Sequence, residues 1–150
     1  MLLSKARVLA PAALVAALLW GCAGMKISPA GPARPEAEGR AAVAGLVETY
    51  QDQRAEAFFK RLDEDNFPNY EVFRNDVRQF LLHVRQISMQ VVAGRVLASG
   101  SEVSVDADWN RSYVDESGTS KLEKGTCSFI FRRDPNGRLL LAAIQGQSPF

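Results

Sequence analysis

The stretch Glu102-Val103-Ser104-Val105-Asp106-Ala107-Asp108-Trp109-Asn110-Arg111-Ser112-Tyr113 decides the fold. Val103, Val105, Ala107, Trp109, Arg111 and Tyr113 occupy alternate positions, with Ser104, Asp106, Asp108 and Asn110 between them. Successive side chains of a strand point to opposite faces, so this period of two predicts a strand over 102–112 with one packed face and one wet face. Asp115 to Gly118 supplies a turn signal. With a loop over 115–119, Val103 faces Phe131, Val105 faces Phe129, Ala107 faces Cys127, Trp109 faces Gly125 and Arg111 faces Glu123. This register keeps the apolar residues together, whereas a slip of one residue would turn a whole set to water.

Further turn signals stand at Ser99-Gly100 and at Asp134-Pro135-Asn136-Gly137. They predict four strands after His83. Connections this short make consecutive strands antiparallel neighbours, which is a meander. Gly94, inside the first strand, predicts a bulge or bend that curves the sheet.

Before His83 the spacing is helical. Val43, Leu46, Val47, Tyr50, Ala57, Phe58 and Leu62 follow an amphipathic stripe that Arg54 interrupts. The reading is a long helix ending near Gln53 and a short second one reaching Leu62. Asp63 to Pro68 breaks the pattern, and Asn69 is expected to cap a third helix whose stripe is Phe73, Val77, Phe80, Leu81 and Val84. The fold class is therefore α+β, with N-terminal helices packed on a curved four-stranded antiparallel meander.

This order resembles the nuclear transport factor 2-like superfamily, which includes polyketide cyclase and ketosteroid isomerase types. The resemblance runs from about residue 40 to residue 150 and rests on Tyr50, Phe58 to Asp65, Gly125 to Phe131 and the closing Leu139 to Gly146. It implies a conical pocket between sheet and helices. It also makes a small-molecule isomerase or dehydratase an alternative worth testing, because such enzymes set Asp, Tyr or His inside an apolar cone where burial tunes proton transfer. The face carrying Trp109 bears no Asp or His, and its one carboxylate is Glu123, so the acid–base set is incomplete.

The candidate ligand pocket is Tyr50, Phe58, Trp109, Arg111, Tyr113, Glu123 and Phe131. Within it, Arg111 between Trp109 and Tyr113 has the chemistry to hold a carboxylate or phosphate, since a guanidinium beside aromatic walls offers both a fork of donors and a stacking surface. A cross-strand ion pair with Glu123 is the more economical reading of the same residue. His83 stands alone, without the companions of a metal site or a triad, and is read as a surface or boundary residue. Cys127 among Phe129 and Phe131 reads as a small core residue. Arg74, Arg78 and Arg85 are read as a solvated basic row on the third helix. The consecutive carboxylates Asp63-Glu64-Asp65 lack the alternating spacing of a calcium loop. No cofactor and no metal is expected.

The beginning of the chain carries a different signal. Lys5 and Arg7 precede an apolar run from Val8 to Trp20, which ends at Gly21-Cys22. Thirteen residues at about 1.5 Å each reach about 20 Å, short of the roughly 30 Å hydrocarbon core, so the run suits a cleaved secretion signal better than a membrane span. Leu19-Trp20-Gly21-Cys22 resembles the lipobox of bacterial lipoproteins, apart from Trp20, where a small residue is usual. The resemblance implies residues 1–21 as signal peptide and Cys22 as the lipid-bearing residue, carrying diacylglycerol and palmitate-type chains. Residues 22–38, with Pro29, Pro32 and Pro35, are read as acylated N-terminus and flexible tether, and 39–150 as the folded domain. By lipoprotein sorting rules, Ala23 after the cysteine implies the outer membrane, facing the periplasm.

Composition narrows the partners. The chain has 47% hydrophobic and 23% charged residues, with a formal net charge of +1. Loss of Lys5 and Arg7 would leave 16 basic residues against 17 acidic ones, a balance that argues against nonspecific nucleic-acid binding. With Cys22 acylated, Cys127 has no partner for an intrachain disulfide. The expected function is a noncatalytic binding or assembly module in the cell envelope, meeting an envelope protein or a small apolar ligand. Homodimerisation through the sheet is a third reading, disfavoured by the polar face of Asp106, Asp108 and Asn110.

Overall fold

The computed structural model describes residues 35–150; the stretch read as a signal peptide, Cys22 and the stretch read as a tether as far as residue 34 lie outside the described residues. Three helices, α1 (Pro35–Gln51), α2 (Ala55–Phe59) and α3 (Tyr70–His83), precede four strands, β1 (Arg85–Ser99), β2 (Glu102–Val114), β3 (Ser120–Arg133) and β4 (Leu139–Gly146). The sheet order is β1-β2-β3-β4, an antiparallel meander. Among the described residues no helix is long and apolar enough to cross a membrane.

The register of the central hairpin is the one expected: Val103 pairs with Phe131, Val105 with Phe129, Ala107 with Cys127, Trp109 with Gly125 and Arg111 with Glu123. The β1–β2 ladder slips between Ala93 and Val96, around Gly94, so the bend falls where the glycine is. One sheet face joins Val43, Leu46, Tyr50, Phe58, Val77 and Leu81 of the helices in a single core.

Three boundaries and one cap differ from the expectation. α1 starts at Pro35, inside the stretch read as tether. Proline suits a first helical position, where its missing N–H costs nothing, and Glu36 and Glu38 of the first turn favour the helix dipole. Glu38 pairs with Arg133 of β3, and a Cβ on Gly39 would stand 3.0 Å from Val103 and Val105, so this early turn lies directly on the sheet.

α1 ends at Gln51 rather than Gln53, where the chain enters the left-handed region (φ 54°). The short helix stops at Phe59 instead of reaching Leu62, because the backbone there pairs with β4: Asp63 N–H donates to Leu141 O at 2.9 Å and Leu141 N–H to Arg61 O at 2.8 Å. Asn69 sits at the cap position of α3 but in a left-handed conformation, with no side-chain capping bond. Its carbonyl still accepts from Phe73 N–H at 3.0 Å.

The expected basic row is not a row. Arg85 lies on β1, while Arg74 and Arg78 place their guanidinium carbons 5.6 and 5.4 Å from the Phe59 ring centre. They pack over an aromatic face instead of standing free in water.

Candidate functional site

Among the described residues, Arg111 is the charged residue drawn most deeply into the core, with 7% of its surface exposed. The alternation of β2 forces it inward, where a cation must find partners or incur a large desolvation cost. Its Nη1 donates to Tyr50 Oη at 2.7 Å and to Pro149 O at 3.0 Å, and its Nη2 is ion-paired to Glu123. Nε is buried with no hydrogen-bond partner. The rings of Phe80, Tyr113 and Tyr50 surround the guanidinium carbon at 4.4, 5.4 and 6.0 Å.

The neighbours are tuned by this cation. Burial pushes the Glu123 carboxyl upward, but the hydrogen bonds from Arg111 and from Tyr113 Oη (3.0 Å) outweigh it and hold the group below its ordinary value. Burial drives the Tyr50 hydroxyl up to about 12, against the pull of Arg111. Tyr113 is also raised, by burial and then by its bond to Glu123. At neutral pH the group is thus a charge-matched pair between two neutral phenols.

Of the residues expected in the pocket, Tyr50, Arg111, Tyr113 and Glu123 are brought together. Phe58 lies one ring away, 5.7 Å from Tyr50. Trp109 is the next inward residue along β2 and donates its indole N–H to Gln147 O at 2.9 Å. Phe131 is core packing: its ring is 6.3 Å from Phe129, and it stands opposite Val103, eight residues along β3 from Glu123.

Two contributors escaped the sequence reading as site residues. Phe80 was placed only in the apolar stripe of its helix, yet it provides the nearest ring to Arg111. The segment 147–150 turns back over the site, with Pro149 fully buried and the Phe150 ring 5.0 Å from Tyr50, 4.9 Å from Phe58 and 6.0 Å from Phe129. The available signal was an apolar pair, Pro149-Phe150, following the last strand. Two surface hollows of about 510 Å³ lie outside the packed cone, one lined by Asp106, Asp108, Thr126, Ser128 and Gln145, the other, at the rim by Trp109 and Gln147, by Val92, Asn110 and Lys124 as well. Neither includes Tyr50, Phe58, Arg111 or Phe131.

The other candidates are ordinary. His83 is exposed, its Nδ1 2.6 Å from Gln79 O. Cys127 is buried, and burial pushes its thiol up to about 11, which leaves almost no thiolate at neutral pH. The Asp63 carboxylate accepts two bonds from Asn66 Nδ2, at 3.0 and 2.9 Å.

Comparison with solved structures gives the class of fold. A nuclear transport factor 2-like superfamily protein from Salmonella enterica superposes with a TM-score of 0.64 at 12% identity, over 77% of this chain and 92% of that one. A ketosteroid isomerase-like protein from Erwinia carotovora gives 0.62 at 14% identity, over 75% and 96%. A candidate dehydratase of the same family from Streptomyces avermitilis gives 0.63 at 13%, over 75% and 94%. No family model and no curated protein matches the sequence. The chain thus has the nuclear transport factor 2-like α+β cone fold, and identities this low carry the fold alone.

Proposed function

We propose that this protein is a noncatalytic binding or assembly module of the cell envelope, held by lipid on Cys22 at a membrane, in the outer-membrane leaflet facing the periplasm. The observation that carries the binding role is the state of the cone. Arg111 binds Tyr50, Glu123 and Pro149 of the 147–150 segment amid packed rings, and Nε alone of its guanidinium nitrogens has no partner. A general acid or base works best with a pKa near the operating pH. Glu123 is held ionised, and Tyr50 (about 12) and Cys127 (about 11) lie far above neutrality.

The anchor rests on the order of Lys5 and Arg7, the Val8–Trp20 run and Gly21-Cys22. Each buried methylene of an acyl chain contributes about 0.8 kcal/mol, so two or three chains on one sulfur give durable attachment.

The second reading, a small-molecule isomerase or dehydratase, draws on the names of the similar structures from Erwinia carotovora and Streptomyces avermitilis. The two readings separate in a turnover assay. A β,γ-unsaturated cyclic ketone, whose conjugated product absorbs in the ultraviolet, is expected to isomerise no faster with the protein than in buffer. Turnover that Glu123→Gln abolishes in a folded variant would establish the enzyme instead.

A further inference from the structure

The segment Gln147–Phe150 is seated in the cone as a bound peptide would be. Gly146, at φ +90° and with a Cβ position only 2.9 Å from Thr126 O, turns the chain out of β4 into a path only glycine takes without strain. Gln147 N–H then donates to Thr126 O at 3.0 Å, Gln147 O accepts from Trp109 Nε1 at 2.9 Å, and Pro149 O accepts from Arg111 Nη1 at 3.0 Å. Gln147 and Ser148 are exposed, Pro149 is fully buried and Phe150 is half-buried against Tyr50 and Phe58. The protein groups therefore read two backbone carbonyls two residues apart, one proline and one aromatic ring.

Resting on the binding-module reading above, we infer that this is a peptide-docking groove, occupied in cis by residues 147–150, which takes an extended Pro-aromatic segment of a partner protein when that segment swings out about Gly146. Charge supports a peptide over an anion. Glu123 already neutralises Arg111, so the donor that remains for an occupant matches a neutral carbonyl, as Pro149 O illustrates. The buried, unpartnered Nε of Arg111 leaves a second donor that a repositioned occupant would satisfy. Alternating carbonyls with side chains in pockets is the common grammar of extended-peptide recognition.

The test is a polarisation titration of fluorescein-labelled Gln-Ser-Pro-Phe-amide against the full chain and against the double variant Pro149→Ala/Phe150→Ala. Vacating the groove is expected to produce saturable binding at least tenfold tighter than to the unmodified chain, with the Trp109 indole N–H resonance shifting in step. Gln-Ser-Ala-Ala-amide is expected to bind at least tenfold more weakly. Absence of saturation, or equal binding of the two peptides, would overturn the inference. For a double variant without a cooperative thermal transition, the same criteria apply to Phe150→Leu. Ketone turnover in the assay above would remove the binding-module reading, whereas failed peptide binding would remove only this groove.

Discussion

Arg111 Nη1 lies 2.7 Å from Tyr50 Oη, a bond that ties the C-terminal part of β2 to the last turn of α1 across 61 residues of sequence. It is the polar rivet in an apolar wall, since Tyr50 is fully buried and Arg111 nearly so. Tyr50→Phe keeps the ring and deletes this bond, so it is expected to cost about 1–2 kcal/mol. Arg111→Lys should cost at least twice as much, because an ammonium cannot serve Tyr50, Pro149 and Glu123 in the geometry of a guanidinium fork. Urea midpoints of the two variants, at unchanged slope, check the ranking.

Glu123 makes stability depend on acidity in a definite direction. Its carboxyl is held below the ordinary 4.5, so the folded state keeps it ionised where the unfolded chain would take up a proton. The contribution is fully present above that ordinary value and is lost as pH falls through the lower, folded-state one. As pH falls through and below 4.5, the unmodified protein should therefore lose stability more steeply than Glu123→Gln. Asp106, Asp115 and Asp134 are also lowered, chiefly by hydrogen bonds from Ser128, Ser117 and the Arg138 backbone respectively. They act equally in both proteins, so the difference between the two acid melts isolates Glu123.

Trp109 and Gly125 face each other across β2 and β3 with no room to spare. A Cβ at Gly125 would come 2.8 Å from the indole ring and 2.4 Å from the Gln147 amide oxygen. The amide can swing away; the ring cannot without losing its bond to Gln147 O. Gly125→Ala should cost about 1–3 kcal/mol, in the range of overpacked cores, and shift Trp109 fluorescence. Gly137→Ala is the matched control: its φ of +82° gives backbone strain, but nothing lies within 4 Å of the added carbon. Its thermal midpoint should fall while the Trp109 emission stays in place.

Cys127 should be silent to thiol reagents in the folded state. Its burial and its raised thiol, at about 11, both oppose attack. An aromatic disulfide reagent at pH 8 is expected to leave it unmodified over hours and to label it fully once the protein is unfolded. Rapid labelling under native conditions would mean that the β3 core opens locally.

How much of this was legible in the sequence follows from the range of each interaction. The β2–β3 register could be read because its inward pairs from Val103–Phe131 to Arg111–Glu123 are marked by alternation, and a slip would have exposed Val103, Val105 and Trp109 together. The start of α1 could not, since the docking of Gly39 onto Val103 and Val105, and of Glu38 onto Arg133, links residues far apart in sequence. Leu62 read as helix because its apolar spacing continues the stripe; the competing pull is a bridge to Leu141. At the site, Arg111, Glu123, Tyr113 and Tyr50 were legible from strand alternation and helical spacing. Phe80 needed the angle at which α3 crosses the sheet, and the 147–150 segment needed the turn at Gly146. Neither leaves a periodic trace.

The proposed lipid tether would set this protein apart from a freely diffusing one, and it converges on one sulfur atom. Mass spectrometry of the protein extracted from a membrane fraction should find Cys22 as the first residue, carrying a thioether-linked diacylglyceryl group. An unmodified Cys22 thiol, or a chain still beginning with Met1 and its leader, would contradict the account.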